Sequence, residues 1–300
     1  MAHRDTTLAF EGARTDVPPA RWRSILRFTS NPLVAAGLVI CTVVVVIAIV
    51  APWLAPYDPF AQDFTQRVNP PSAGHWFGTD EFGRDIFSRV LYGARVTVVT
   101  SSAVVLLTVL AGTTLGLISG YVGGFVDSVI MRVMDVLMAF PGILLAIAVM
   151  ALLGQGIGNL ILALGIAYTP AFARVARSAV LSLRHQDFIE AARALGARSP
   201  LILVRHVLPN AMAPLLIQMS ITFVYAIRAE ASLSYLGLGT PPPNPSWGNL
   251  LQETQKFMIR EPILPFFPGL AIAITILGLN LLGDGLRDVL DPRLRGTRWA

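Results

Sequence analysis

Side chains that could do chemistry are few in this chain of 300 residues, and they are scattered. Lys256 is the only lysine among 23 basic residues, and it follows Gln255. A phosphate-binding G-x-x-x-x-G-K-[ST] loop is therefore impossible, so the chain carries no ATP site of that type. Lys256 also lies in a polar stretch rather than in the desolvated pocket that Schiff-base catalysis requires.

Metal and redox chemistry also lack candidate residues. The four histidines show no spacing typical of metal ligands and stand at His3, His75, His185 and His206. Cys41 is the single cysteine and lies in an apolar run, which is typical of a small side chain buried in a membrane. We therefore predict that the chain is not an enzyme and that it binds no metal and no cofactor.

Two charged residues lie inside an apolar stretch, where charge is costly and function is the default expectation. Arg228 and Glu230 stand toward the end of the stretch 211–236. Two residues apart on a helix, they point to different faces and do not pair with each other. Either could line a translocation path between helices. The alternative is that each snorkels to the membrane surface or pairs with another helix.

The elements that position these residues are predicted membrane spans. With 54% hydrophobic and 14% charged residues and a mean hydropathy of +0.63, the chain is too apolar for a soluble domain. A helix needs about 20 apolar residues to cross a bilayer. Six stretches are candidates: 32–54, 96–121, 133–153, 160–173, 211–236 and 265–286. The fourth is short unless it begins near residue 156 and continues into 175–183. The sequence thus predicts an all-α polytopic membrane protein with six transmembrane helices.

Arginine placement predicts the orientation, because cytoplasmic loops carry an excess of basic residues. Arginines concentrate before the first span, between the fourth and fifth spans, and after the sixth. Six spans put all three segments on one face, so we expect both termini in the cytoplasm. The predicted organisation is a tail 1–31, a first span 32–54, an external loop 55–95, a five-helix core 96–286 with a cytoplasmic loop 184–209, and a tail 287–300. Residues 19–29 form either an interfacial helix or only a basic flank.

Local patterns refine this organisation. Thr79 as N-cap, followed by Asp80 and Glu81, predicts an amphipathic surface helix leading into the second span. Arg132 and Asp135 fit an i,i+3 ion pair. The Pro- and Gly-rich stretch 237–250 is typical of an ordered turn region and suits docking of an external partner.

Glycines recur at every fourth position along the second span, at Gly112, Gly116, Gly120 and Gly124. Such a ridge lets two helix backbones approach closely in lipid. The packing partner is either another helix of this chain or a second, similar subunit. In the third span, Pro141 removes one backbone hydrogen bond and predicts a kink.

The segment 190–210, EAARALGARSPLILVRHVLPN, is polar and helical in pattern although apolar spans flank it. Its small residues favour a short helix parallel to the membrane, Gly196 permits a close backbone approach, and Pro200 can begin a new helix. A solvated connector would not need small residues on a surface. We therefore expect a soluble cytoplasmic protein to contact this segment.

The pattern E-A-A-x-x-x-G followed by Leu-Pro resembles the coupling motif of binding-protein-dependent ABC importer permeases. The resemblance implies an ATPase-coupling role for Glu190, Ala191, Ala192, Gly196, Ala197, Leu208 and Pro209. His206 departs from the motif, in which an isoleucine is frequent at that position. Three further stretches, 75–95, 231–248 and 280–296, resemble the second permease subunit of the dipeptide, oligopeptide, nickel and glutathione group.

This resemblance implies a type I ABC importer permease fold in the bacterial cytoplasmic membrane. It implies that the chain translocates peptides or related small solutes as one half of a permease heterodimer. Two ATPase subunits would bind ATP and Mg, an external solute-binding protein would deliver the cargo, and no nucleic acid is involved. The alternative is a stand-alone ion-coupled secondary transporter. That class should show a mid-membrane ion site and internal repeats, and neither is apparent.

Overall fold

The computed structural model describes residues 32–290, and helices dominate this part of the chain. In chain order the helices are α1 Pro32–Leu54, α2 Ile86–Val122, α3 Gly124–Met138, α4 Gly142–Leu153, α5 Ile157–Leu183, α6 Asp187–Ala194, α7 Ser199–Ile202, α8 Leu208–Tyr235, α9 Trp247–Gln255 and α10 Phe266–Leu290. A 3₁₀ turn at Phe64–Gln66 and a π-helical turn at Leu203–Val207 complete the regular structure. The tail 1–31, with its candidate interfacial helix, and residues 291–300 lie outside the described residues.

Within residues 32–290, five helical stretches are long and apolar enough to span a membrane. The number is six if α3 and α4 together form one broken span. Helix α1 has the predicted bounds. Of the two extents predicted for the fourth span, the longer one is found, because α5 runs from Ile157 to Leu183. Arg174 and Arg177 lie within this helix and pair with carboxylates of α3.

The third predicted span is broken rather than kinked. Helices α3 and α4 meet at 90°, so a continuous helix over 133–153 was a wrong prediction. Pro141 stands at the N-cap of α4 with φ −55° and ψ 128°. Proline lacks an N–H and disfavours helical backbone in the residue before it, so α3 ends ahead of Pro141 and a new helix axis begins after it.

The start of α2 also differs from prediction. Thr79 does not cap a helix: its hydroxyl binds the Gln66 carbonyl and accepts from the Asn69 N–H at 3.0 Å. The cap is Asp85, whose carboxylate accepts the Ser88 N–H at 2.7 Å. From there α2 runs for 37 residues, so the predicted surface helix and the second span are one element.

Helices α2 and α5 pack closely through the glycine ridge. A Cβ added at Gly116 would lie 2.5 Å from both the Ala173 carbonyl oxygen and the Ala176 Cβ. Gly112 and Gly120 face α5 in the same way, against Phe172 and Val180. Between helices in lipid such packing replaces the hydrophobic effect as the stabilising force. Three of the four glycines thus have their partner within the chain, whereas Gly124 lies past the end of α2 with open space around it.

Candidate functional site

The exposed segment between α5 and α8 is shaped by one left-handed residue. Helix α6 ends in a Schellman motif, in which the Ala197 N–H donates to the Ala192 carbonyl at 3.1 Å and the Gly196 N–H to the Arg193 carbonyl at 3.0 Å. Gly196 has φ +82°, and no atom lies within 4 Å of a Cβ built there. No other part of the described residues approaches Gly196 closely, so the predicted close approach stays a prediction for a partner protein. The turn requires glycine for its backbone conformation.

One face of this segment is anchored to the membrane helices. Ile189 of α6, Ile202 of α7 and Val207 are at most 1% exposed and pack against Val180 of α5. Tyr121 of α2 is part of the same cluster, and the Arg193 guanidinium lies 5.9 Å from its ring centroid. The segment is therefore in direct packing contact with the ends of α2 and α5.

The opposite face is open and partly apolar. Leu195 is 89% exposed, and Phe188, Leu201 and Val204 are also exposed. The motif residues divide between the two faces: Ala192 and Ala197 are half-buried, whereas Glu190, Ala191 and Gly196 are exposed. An apolar patch with charged neighbours at the end of a helical bundle is typical of a protein-binding surface.

The Leu-Pro pair stands where the segment joins α8. The turn Leu203–Val207 is π-helical, and the Leu208 N–H donates to the Leu203 carbonyl, one residue further back than in an α-helix. Pro209 has no N–H to continue an α-helical ladder. Half-buried His206 lies in this turn, and its carbonyl accepts from the Asn210 side chain at 2.6 Å. Single π-helical turns within helices occur frequently at functional sites.

Ion pairs tie α3 to α5 beside this segment. The Arg177 guanidinium donates to both Asp127 carboxylate oxygens at 2.6 Å, and Arg174 donates to Asp135 at 2.6 Å. The predicted pair of Arg132 with Asp135 was wrong, because the arginine of the neighbouring helix occupies the carboxylate. The contact between α3 and α5, rather than the i,i+3 spacing within α3, therefore determines the partner of Asp135.

Arg228 and Glu230 have opposite environments. Glu230 is fully buried, its carboxylate accepts from the Ser234 hydroxyl at 2.8 Å, and the Thr97 and Ser246 hydroxyls face it. Glu230 therefore lines no exposed path in this structure. Ser234 holds one carboxylate oxygen, and the other, Oε2, is buried without a hydrogen-bond partner among the described residues. Arg228 is exposed and borders a cavity of about 430 Å³ between α8, α9 and α10.

A charge network at the start of α2 was not expected from the sequence. Arg84 donates to Asp80 at 2.6 Å and to Glu253 at 3.0 Å, and Arg89 binds the same two carboxylates. The side chains of Arg89 and Asp80 are 1% and 2% exposed. Glu253 stands 164 residues from Arg89, so local spacing gave no signal. The network fixes α9 to the start of α2.

Metal binding has no support in the part of the chain that the structure describes, where no cluster of three or more His, Cys, Asp or Glu residues could hold an ion. The geometry instead offers an anchored, exposed segment at one end of the bundle and a cavity beside Arg228. An arrangement of this kind can transmit a mechanical displacement.

Comparison with protein families gives two matches. Residues 112–296 match the family described as binding-protein-dependent transport system inner membrane component. Residues 21–71 match the N-terminal TM domain of oligopeptide transport permease C. Together the two matches take in the coupling-like segment and all the helices except the first part of α2.

Curated relatives resemble the chain over most of its length. The dipeptide transport system permease protein DppC of Alkalihalophilus pseudofirmus is 43% identical over 286 residues, which cover 95% of this chain and 93% of that protein. The glutathione transport system permease protein GsiD of Pectobacterium atrosepticum is 46% identical over 275 residues, covering 91% and 90%. A putative peptide transport system permease protein of Brucella suis is 47% identical over 259 residues, covering 86% and 87%.

A solved structure shares the fold. An inward-facing form of the MetNI methionine ABC transporter contains a chain that matches with a TM-score of 0.56 and 17% identity. The match covers 68% of this chain and 96% of that one. At this identity the likeness concerns the helical fold alone.

Proposed function

Because this chain belongs to the family of binding-protein-dependent transport system inner membrane components, we propose that it is the transmembrane permease subunit of an ATP-driven importer of di- or oligopeptides or related small solutes. Relatives aligned over nine tenths of its length are named as dipeptide and glutathione permeases, which supports peptide-like cargo. Family membership argues against the stand-alone secondary transporter.

The observation that carries the proposal is the segment 187–209, which is anchored on one face and exposed on the other. A cytoplasmic ATPase subunit docks on the exposed apolar side chains around Leu195, and a second permease carries the equivalent site for a second ATPase. ATP and Mg bind those subunits, in keeping with the missing phosphate-binding loop here. The chain itself contributes binding and motion rather than bond chemistry.

Coupling then follows from packing. ATP binding closes the two ATPases and displaces α6, and the buried contacts of Ile189 and Ile202 carry the displacement to α2 and α5. The π turn carries it directly into α8. The ATP-free and ATP-bound ATPases thus stabilise the inward-open and outward-open arrangements to different extents. Such a difference is what shifts the equilibrium between two conformations.

The proposed orientation places this segment and both termini in the cytoplasm, with α3 and α4 as one broken span of a six-span permease in the bacterial cytoplasmic membrane. Two contacts group the loops at opposite ends of the bundle: Gln155 donates to the Gly237 carbonyl at one end, and Arg184 to the Gly120 carbonyl at the other. The arginine placement then assigns the Arg184 end to the cytoplasm. The loops 55–85 and 236–264 then face outside, where an external solute-binding protein docks and delivers cargo. The proposed domain organisation keeps the predicted order of segments, with α2 beginning at Ile86 rather than at residue 96.

Site-specific photo-crosslinking tests the docking assignment. A photoreactive residue at Leu195, 89% exposed, should capture an ATPase subunit in the assembled complex. The same residue at Ile259, fully exposed at the opposite end, is the matched control and should capture no ATPase. The docking site would be contradicted if position 259 captured the ATPase. It would also be contradicted if neither position captured the ATPase in an intact complex.

A further inference from the structure

The outer half of α8 carries a polar stripe in an otherwise apolar span. Its members are Tyr225, Arg228, Ser232 and Tyr235, spaced by three, four and three residues, which places them on one helix face. All four are exposed in this chain. The stripe extends over ten residues, or about 15 Å along the helix. The Tyr168 hydroxyl donates a hydrogen bond to the backbone carbonyl of Tyr225, the deepest member of the stripe, at 3.4 Å.

Arg228 has no anionic partner within residues 32–290: none of the carboxylates there lies within ion-pair distance of its guanidinium. The nearest candidate by sequence, Glu230, faces the core and is held by Ser234. An arginine at this depth is costly against lipid. It needs a polar or anionic partner on the exposed face, which water, the membrane surface, a neighbouring subunit or a bound anion could supply.

The cavity beside Arg228 is a depression that is widely open to its surroundings and large enough for a small ligand. Its volume of about 430 Å³ lies within the range of small-molecule sites, roughly 300–1,000 Å³. Arg228 is the one charged residue among those that line it, Ser232 and Tyr235 add hydroxyl groups, and Leu251 and Ile272 supply apolar walls. One cation among apolar and hydroxyl groups favours an amphiphilic ligand with a single anionic group.

We propose that Arg228 is a specificity-determining residue that binds the carboxylate of the cargo as it passes through the membrane. The inference rests on the proposed function, since it requires that cargo crosses beside α8. The guanidinium presents two parallel N–H groups that match both carboxylate oxygens. Tyr235, Ser232 and the apolar walls contact the remainder of the cargo without selecting its side chains.

A thiol-accessibility measurement tests the site independently of cargo. Ser232 lies one turn from Arg228, and replacing Cys41, the single native cysteine, by alanine makes Ser232→Cys the only thiol of this chain. In the assembled complex, a membrane-impermeant anionic methanethiosulfonate should modify position 232. The ratio of its rate to that of a cationic methanethiosulfonate should fall about fivefold in Arg228→Gln and be largely kept in Arg228→Lys. No modification at position 232, or an unchanged ratio in Arg228→Gln, would overturn the proposal.

A transport measurement then tests the selectivity. Complexes reconstituted with their binding protein should take up Ala-Ala and its C-terminal amide in an ATP-dependent manner. The ratio of Ala-Ala uptake to amide uptake should be about tenfold lower in Arg228→Gln than in the wild type. The binding protein is the same in both complexes, so its own preference between the two compounds does not affect this comparison. Equal loss for both cargoes would overturn the proposal in favour of a structural role for Arg228. Absence of ATP-dependent uptake of either compound by the wild-type complex would instead contradict the peptide cargo of the proposed function, while the accessibility result stands on its own.

Discussion

Gly196 illustrates how a single residue sets the form of the surface that we assign to ATPase docking. Its φ of +82° closes the Schellman turn after α6 and leaves Leu195 projecting into solvent. Any residue with a Cβ is strained in this backbone region, by about 1–2 kcal/mol. Because no neighbour occupies the space around Gly196, a substitution there changes the turn without disturbing packing.

The first prediction concerns this residue. Gly196→Ala should lower ATPase co-purification and ATP-dependent uptake about five- to thirtyfold, because roughly 1–2 kcal/mol of strain opposes the docking turn. Gly158→Ala is the matched control: Gly158 is a helical glycine with equally open surroundings, so alanine should leave both quantities unchanged. Equal behaviour of the two variants, at equal amounts of folded protein, would remove the role given to the turn.

Residue roles were predicted unevenly from the sequence. The motif residues from Glu190 to Pro209 could be named from the sequence because they form a local pattern that resembles a family motif, and their coupling role stays a prediction. The opposite environments of Arg228 and Glu230 could not be predicted, since each depends on which neighbouring helix faces that side of α8. Glu253 was missed as a partner of Arg89 for the same reason: the pairing joins distant parts of the chain.

At the scale of elements, the contact between α2 and α5 carries the proposed motion to the centre of the bundle. Gly116 has no room for a methyl group, since its Cβ would lie 2.5 Å from the Ala173 carbonyl oxygen. Overpacking of a tight contact costs about 1–3 kcal/mol. The close contact therefore holds α2 and α5, the two helices that the exposed segment touches, in a fixed relative position.

The second prediction tests this joint. Gly116→Ala should lower the thermal unfolding midpoint of the purified complex and reduce the yield of folded protein, because the two backbones must separate. Gly269→Ala in α10 is the control, since its Cβ would meet Leu251 at an ordinary 3.7 Å. An unfolding midpoint for Gly116→Ala that equals that of Gly269→Ala would show that α2 and α5 are less closely packed than described.

Element positions followed well from hydropathy, and element ends did not. Helix α1 ends at Leu54 as predicted, because this end coincides with a change from apolar to polar residues. The break between α3 and α4 was underestimated, since a proline predicts a disturbance but not its angle. The start of α2 was misplaced because Thr79 and Asp85 are both good caps, and loop contacts decide between them.

For the whole molecule, the described helices form one path from the exposed segment to the cavity beside Arg228. The segment packs on α2 and α5, and through the π turn it continues into α8, which carries Arg228 in its outer half. The family relationship places the energy source on other subunits. Under the proposed function, vectorial transport requires the complete assembly, and this chain alone should be inactive.

The central claim is tested most directly by uptake into proteoliposomes. Vesicles containing this chain, its partner permease and both ATPases, with ATP on the side of Leu195 and loaded binding protein on the other, should accumulate Ala-Ala against its gradient. Vesicles that contain this chain alone should accumulate none, with or without a proton or sodium gradient. Accumulation by this chain alone, driven by an ion gradient, would contradict the account and identify a secondary transporter.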